Sequence, residues 1–418
     1  MEQKRNKINR RNFLKTVGAL GVGSAIASVK TNAEVNEPNT VQKTEEAKLS
    51  ELPRRKLGKS GIEIPVLANG LMFDVMENQI ILRANIQQNL TYWDTAYSYA
   101  GGNSELGIGK FLARNPEARK DLFIVSKASG ARRVEDVENR LQTSLKRMNI
   151  DYIDAYYAPH GADDPSQFTD ELRRWAEGAK KRKLIRFFGF STHKNMAKCL
   201  AGAAKLDWID MVMPSYNFRV MQDPEMRDAV EACHEAKIGV VAMKTTGKTT
   251  IRRFRMSIET EADKKMVRHF LEKGFTPEQA GLKFALQDER VACAPVQMEN
   301  VAVLTANVAA VLDKTKLSQA DMAVLREYAR QTCHGYCPGC AHICDAALPE
   351  VPYVSDIMRY LMYYNSYGDK QRARELFAQI PGDVRRKLLS ADYGPAEAHC
   401  PQHLPIAKLV AEAVRKLA

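Results

Sequence analysis

From Leu57 onward the chain alternates short apolar or β-branched runs with longer amphipathic ones, and that alternation limits the fold more than any other feature. The short runs are Glu63 to Ala68, Leu90 to Ala96, Leu122 to Lys127 and Tyr152 to Ala158. They continue with Arg186 to Ser191, Asp210 to Ser215, Gly239 to Lys244 and Ala292 to Gln297. Between them lie Glu105 to Ala113, Val134 to Met148, Glu171 to Lys183 and Glu225 to Ala236. In the second of these, Val134, Val137, Leu141, Leu145 and Met148 recur at three and four, one face of a helix. An open doubly wound sheet would want a glycine-rich turn after its first strand, and Asn69-Gly70-Leu71-Met72 is not one. Repeated strand–helix units spread over roughly 250 residues predict a closed (β/α)8 barrel of the TIM type. The remainder of the chain predicts a smaller all-α domain.

Barrels of this kind place polar, chemistry-bearing residues at the C-terminal ends of their strands. Those ends carry Asp94, Tyr99, Lys127, His160, Ser191, Thr192, Asn217 and Lys244. A phenol titrates near 10, so Tyr99 donates a proton well at neutral pH only beside a cation that stabilises the phenolate. Lys127 is the candidate cation, Asp94 would hold it charged, and His160 would complete the hydrogen bonding around a carbonyl oxygen. This set supplies a proton but no hydride, so a nicotinamide is expected to supply that.

At these residues the sequence resembles the aldo/keto reductases. The likeness rests on Trp93-Asp-Thr-Ala-Tyr-Ser-Tyr99, Gly102-Asn-Ser-Glu-Leu-Gly-Ile-Gly109, Ile124-Val-Ser-Lys127, Leu145 to Asp154, Phe188-Gly-Phe-Ser191 and Tyr216-Asn217. The opening Arg55 to Glu63 is also similar to that family's start, and the resemblance runs from Arg54 to Asp313. It implies Tyr99 as proton donor, Lys127 and Asp94 as its tuning pair, and His160 as the group orienting a small carbonyl substrate. It also implies NAD(P) as cofactor, with Ser191 and Asn217 on the carboxamide and Lys244 and Asn307 as further contacts.

Three departures stand out. The family places its histidine one residue earlier than Asp154-Ala-Tyr-Tyr-Ala-Pro-His160 does, and a one-residue slip turns a strand side chain to the other face. A bulge at Ala158-Pro159 is therefore expected to re-aim His160. Met213 replaces a glutamine. No arginine or lysine lies between Pro295 and Val311, where a 2′-phosphate would want one, so NAD and NADP both remain open.

Of the eight cysteines, five fall between Cys333 and Cys400, which argues for a local cross-link or metal site. The run Cys337-x2-Cys340-x3-Cys344 with the distant Cys400-Pro401 resembles helical ferredoxin-like extensions, which implies a single [4Fe–4S] cluster. Ser390, Tyr393 and Ala396 stand where the cysteines of a second cluster would fall. Cys337, Cys340 and Cys400 are common to every ligand set, with Cys344 or else Cys333 as the fourth. Disulfides and structural zinc stay open as alternatives. The stripe of Tyr360, Tyr363 and Tyr364 in the helical stretch Val354 to Ala378 reads as core packing.

The N-terminus has a basic head, then a weakly apolar run from Thr16 to Val29 that contains Gly18, Gly21 and Gly23. Arg10-Arg11 followed by Phe13, Leu14 and Lys15 resembles a twin-arginine export signal, with Ala25-Ile-Ala27 or Ala33 as cleavage sites. The expected organisation is an export signal over 1–33, a polar spacer over 34–50, the barrel over 51–315 and a helical ferredoxin-like domain over 316–418. The protein would then be periplasmic or extracytoplasmic, touching the membrane only through the signal segment, with the twin-arginine machinery and a redox protein as partners. The net charge of +12 reads as a solvated basic surface, because no basic face is interleaved with stacking aromatics and no nucleic-acid partner is expected. A second reading is an electron-transfer or non-catalytic iron–sulfur protein built on a degenerate reductase barrel.

Overall fold

The computed structural model describes residues 51–247 and 261–418, so the segments expected to be an export signal and a spacer lie outside the described residues. The chain enters through an antiparallel hairpin, β1 (Arg54–Lys56) and β2 (Glu63–Pro65), with Arg55 opposite Ile64. Eight parallel strands follow. They are β3 (Leu67–Gly70), β4 (Tyr92–Asp94), β5 (Phe123–Lys127), β6 (Ile153–Ala162), β7 (Ile185–Thr192), β8 (Met211–Pro214), β9 (Gly239–Val241) and β10 (Val291–Val296). They close in the order β10-β3-β4-β5-β6-β7-β8-β9. The expected (β/α)8 barrel is therefore present, with one correction. The run Glu63 to Ala68 is not one strand: its first half belongs to the hairpin and the barrel strand begins at Leu67. Leu57 and Ile64 of the hairpin are fully buried against the barrel-interior residues Ala68, Tyr92, Val125 and Val241, so the hairpin plugs the bottom of the barrel.

Strand periodicity decides which residues enter the barrel. Tyr92 on β4 and Phe123 and Val125 on β5 belong to the interior cluster, whereas Trp93 and Ile124 pack outward under the helices. Asp94 and Lys127 continue the inward series one pleat higher. The helix Val134–Met148 buries Val137, Leu141, Leu145 and Met148, the face its sequence marks.

Beyond the barrel, the helix Gln319–Gln331 packs Leu325, Tyr328 and Ala329 against Met266, Phe270 and Phe275. The helices Ala341–Ala347, Val354–Met362, Lys370–Ala378, Gly382–Lys387, Gly394–His399 and Ile406–Leu417 then share a separate core around Ile357, Leu361, Phe377, Leu388 and Val410. The expected helical stretch Val354 to Ala378 is broken by a π-turn at Tyr363–Tyr367 and by Gly368, whose φ of 74° ends it. No helix among the described residues is long and apolar enough to cross a membrane.

This helical layer docks on the loops that follow β7 and β8. Asn195 N donates to Gly339 O at 2.8 Å, and the Lys194 ammonium meets Asp356 at 3.2 Å. Arg219 donates to Ala329 O at 3.2 Å and to Thr332 Oγ1 at 2.7 Å. Both loops lie at the C-terminal ends of their strands, so the helices cover part of the barrel mouth.

Candidate active site

Lys127 and Asp94 form a buried ion pair at 2.6 Å, and Lys127 also donates to Thr95 O at 2.7 Å. Burial pushes the Asp94 carboxyl up and the Lys127 ammonium down, while the contact between them opposes both shifts. Asp94 Oδ2 is buried with no hydrogen bond among the described residues. The Lys127 ammonium lies 4.7 Å from the centroid of the Tyr99 ring. Tyr99 stands at the head of a tight turn in which Ala100, Gly101 and Gly102 all have positive φ (48°, 63° and 103°). Three successive left-handed residues reverse the chain at once, and two of them are glycines, which adopt that conformation without steric cost.

His160 is in reach of this pair. The β6–β7 ladder shifts register on both sides of it, and the Ala158–Pro159 peptide is cis. The expected irregularity therefore exists. The imidazole sits 6.2 Å from the Tyr99 ring, edge to face, and its Nδ1 bonds Ser129 Oγ at 2.7 Å. Burial, then the charges of Lys127, Arg372 and Arg359, hold its pKa well below the usual range, so it is neutral at pH 7.

The residues expected to touch a cofactor are placed less uniformly. Ser191 Oγ accepts from Gly161 N at 3.2 Å and keeps its own proton to donate. Asn217 has its hydrogen-bonding capacity filled. Its Nδ2 donates to Lys244 O and to Tyr336 Oη, both at 3.1 Å, and its Oδ1 accepts from the backbone of Arg219 and Val220. Lys244 faces no carboxylate among the described residues. Its ammonium lies 5.5 Å from the Tyr363 ring, and burial, then the charge of Arg359, lower its pKa to about 7. Asn307 is the seventh residue of the helix Val301–Leu312 and donates back to Val303 O. Met213 is buried in the barrel interior.

Several mouth residues escaped the sequence reading. His193 and Ser129 are strand-end polar residues that alternation alone would have offered. Tyr336, Arg359 and Tyr363 come from the helical domain, and nothing local marks them. Tyr363 packs partly on the helical core, as its periodicity suggests, but its ring also faces Lys244.

All eight cysteines are free thiols. Burial first, and then neighbouring thiols, push Cys340 up to about 11, Cys344 up to about 12 and Cys337 higher still, with Cys400 among the neighbours of each. Cys333 is not among them and lies instead beside Arg219 and Arg330. Among the described residues no three His, Cys, Asp or Glu side chains are gathered as they would be around one metal ion.

A model of the aldo/keto reductase family matches residues 68–330. An aldo-keto reductase of Strobilurus tenacellus, str7, is 30% identical over 47% of this chain and 62% of its own length. The aldo-keto reductase yakc [NADP(+)] of Schizosaccharomyces pombe is 26% identical over 47% and 62%. The chain thus spans about three-fifths of the length of these curated relatives. Among solved structures, the aldo-keto reductase AKR11C1 of Bacillus halodurans (holo form) superposes with a TM-score of 0.55 at 22% identity, covering 66% of this chain and 96% of its own. The thermostable aldo-keto reductase Tm1743 gives 0.53 at 26%, covering 66% and 100%. With a closed eight-stranded barrel beneath it and the family model matching from β3 through the helix Gln319–Gln331, the chain belongs to the aldo/keto reductase family.

Proposed function

We propose that this chain is an exported NAD(P)-dependent reductase in which Tyr99 protonates a carbonyl oxygen. The observation that carries the reading is the buried Lys127–Asp94 pair, with its ammonium against the Tyr99 ring. A cation at that place favours the phenolate and so makes the phenol a better acid. Neutral His160, edge-on to the same ring, presents a polar nitrogen to the substrate oxygen without competing for the proton. Bound nicotinamide would supply the hydride. Ser191, with a proton to donate, suits its carboxamide. Lys244, with no carboxylate beside it among the described residues, suits its phosphates, and Asn307 is a further contact on the strength of the family resemblance alone. Asn217 would have to release Tyr336 before it could take part.

Replacing Tyr99 with phenylalanine is expected to lower kcat for aldehyde reduction about 100- to 10,000-fold, the span of general acid catalysis. The dissociation constant of NADPH should stay unchanged. Undiminished turnover would refute the role given to Tyr99.

Export rests on the Arg10-Arg11 segment. Free nicotinamide nucleotide is scarce outside the cytoplasm, so the cofactor would travel bound to the folded protein. The filled amide of Asn217 and the absence of basic residues between Pro295 and Val311 favour a second reading, electron transfer with a retired reductase site. Nucleotide retained by the purified exported protein supports the first reading. Failure to retain it, or to bind added NADPH, supports the second.

The thiols Cys337, Cys340, Cys344 and Cys400 suit a single [4Fe–4S] cluster, which would supply one-electron redox chemistry. Each of the four is an electrostatic neighbour of the other three. A cubane is wider than one ion, so its ligands stand further apart than those of a zinc site. Protein purified without oxygen should contain iron. Cys344→Ser should lose it and Cys333→Ser should keep it, and iron retained by Cys344→Ser would overturn this ligand set.

A further inference from the structure

We propose that Arg359, from the helical domain, is a specificity residue of the barrel's site and holds an anionic group of the substrate, a carboxylate or a phosphate. The inference rests on the reductase reading above. Asp356, Arg359 and Tyr363 fall three and four residues apart, on one face of the helix Val354–Met362 and its continuation. Two of the three touch the barrel mouth. Asp356 accepts from Lys194 beyond β7 at 3.2 Å, and the Tyr363 ring lies 5.5 Å from the Lys244 ammonium beyond β9. Arg359 sits between these two anchor points and is thereby carried across the opening.

Carboxylates are unevenly placed among the cations of this region. Lys127 is matched by Asp94. Arg359 and Lys194 share Asp356, at 2.8 and 3.2 Å, and Lys194 also meets Asp345 at 3.5 Å and Asp163 at 3.9 Å. Arg372, whose charge is felt by His160, meets Glu375 at 3.9 Å, whereas Lys244 faces no carboxylate among the described residues. Arg359 is felt by His160, His193 and Lys244, at the ends of three different strands, and in each case it disfavours a further positive charge. Buried charges are normally paired, and Lys244, which feels the charge of Arg359, lacks a negative partner among the described residues. His160, His193, Lys244 and Arg359 also keep part of their surface open, 22% for the Arg359 side chain, so none of the four is sealed in a core. A partly open guanidinium is the natural fork for a planar or tetrahedral oxyanion.

The test compares NADPH-dependent reduction of 4-carboxybenzaldehyde and of benzaldehyde by the full chain, by Arg359→Gln and by Arg359→Lys. In Arg359→Gln the KM for the carboxylated aldehyde should rise about tenfold or more, the scale of a lost charge-assisted hydrogen bond. Its kcat, the KM for benzaldehyde and the dissociation constant of NADPH should stay within about twofold. Arg359→Lys should recover part of the loss. Equal rises for both aldehydes, or none for the carboxylated one, would overturn the proposal. Weakened NADPH binding alone would also overturn it, since the anion held would then be the cofactor's phosphate. If the parent chain reduces neither aldehyde, the reductase reading fails instead. Calorimetric binding of terephthalate, expected in the parent and weakened in Arg359→Gln, then decides the subsite, and unchanged binding would sink it.

Discussion

Replacing Lys127 with methionine is expected to destabilise the protein by about 3–5 kcal/mol, the usual cost of removing one member of a buried ion pair. Lys127 is 1% exposed and Asp94 4%, and the second carboxylate oxygen of Asp94 has no hydrogen bond among the described residues to fall back on. The double replacement Lys127→Met with Asp94→Leu should recover most of the loss, because no uncompensated charge remains and the volumes are similar. The denaturant midpoint should fall at constant slope in the single variant and largely return in the double. Acidity supplies a second check. Burial already raises the Asp94 pKa with the ammonium present, and without it the folded value rises further above the unfolded one. The folded state then binds the proton more tightly than the unfolded chain does. The single variant should therefore gain stability as pH falls through the raised folded pKa, and its gap to the parent should narrow in acid. A gap independent of pH would mean that the loss comes from packing and not from charge. Both Asp94 and Lys127 are proposed to serve the chemistry, so a folded double variant without activity would separate that proposed role from the structural one.

The barrel was legible because two short periods are written along the chain. Alternation on β4 and β5 turns Tyr92 and Val125 inward and Trp93 and Ile124 outward, and the helix Val134–Met148 begins and ends where its apolar face does. The single run from Glu63 misled, because hairpin and barrel strand follow each other with only Val66 between them and both are apolar. At His160 the spacing departed from the family pattern by one residue, and the departure corresponds to a register shift in the ladder. What sequence could not give is the seat of the helical domain. Tyr336 on Asn217 and Asp356 on Lys194 join residues more than a hundred positions apart, each unremarkable in its own segment.

Gly339→Ala is expected to cost roughly 2–4 kcal/mol and to loosen the helical domain from the barrel selectively. Gly339 has a φ of 85°, which a side chain rarely adopts, and a Cβ there would lie 2.0 Å from the His193 carbonyl oxygen. That carbonyl belongs to backbone held by β7, so it cannot swing aside as a flexible side chain could. The Gly339 carbonyl in turn accepts from Asn195 N at 2.8 Å, so any shift that relieves the clash also breaks the docking contact. Gly274 is the matching control. Its φ is 86°, and no atom of the described residues lies within 4 Å of where its Cβ would be. Gly274→Ala should therefore show the backbone cost alone, about 1 kcal/mol. The difference between the two variants isolates the close approach of the thiol-bearing loop to the barrel. Hydrogen exchange would locate it: amides of the helices Ala341–Ala347 and Val354–Met362 should lose protection in Gly339→Ala, while those of β4 and β5 should not. Equal losses in the two variants would mean that the loop is not clamped on His193. The helical domain would then be free to leave the mouth, and Arg359 could not hold a fixed place beside Lys244.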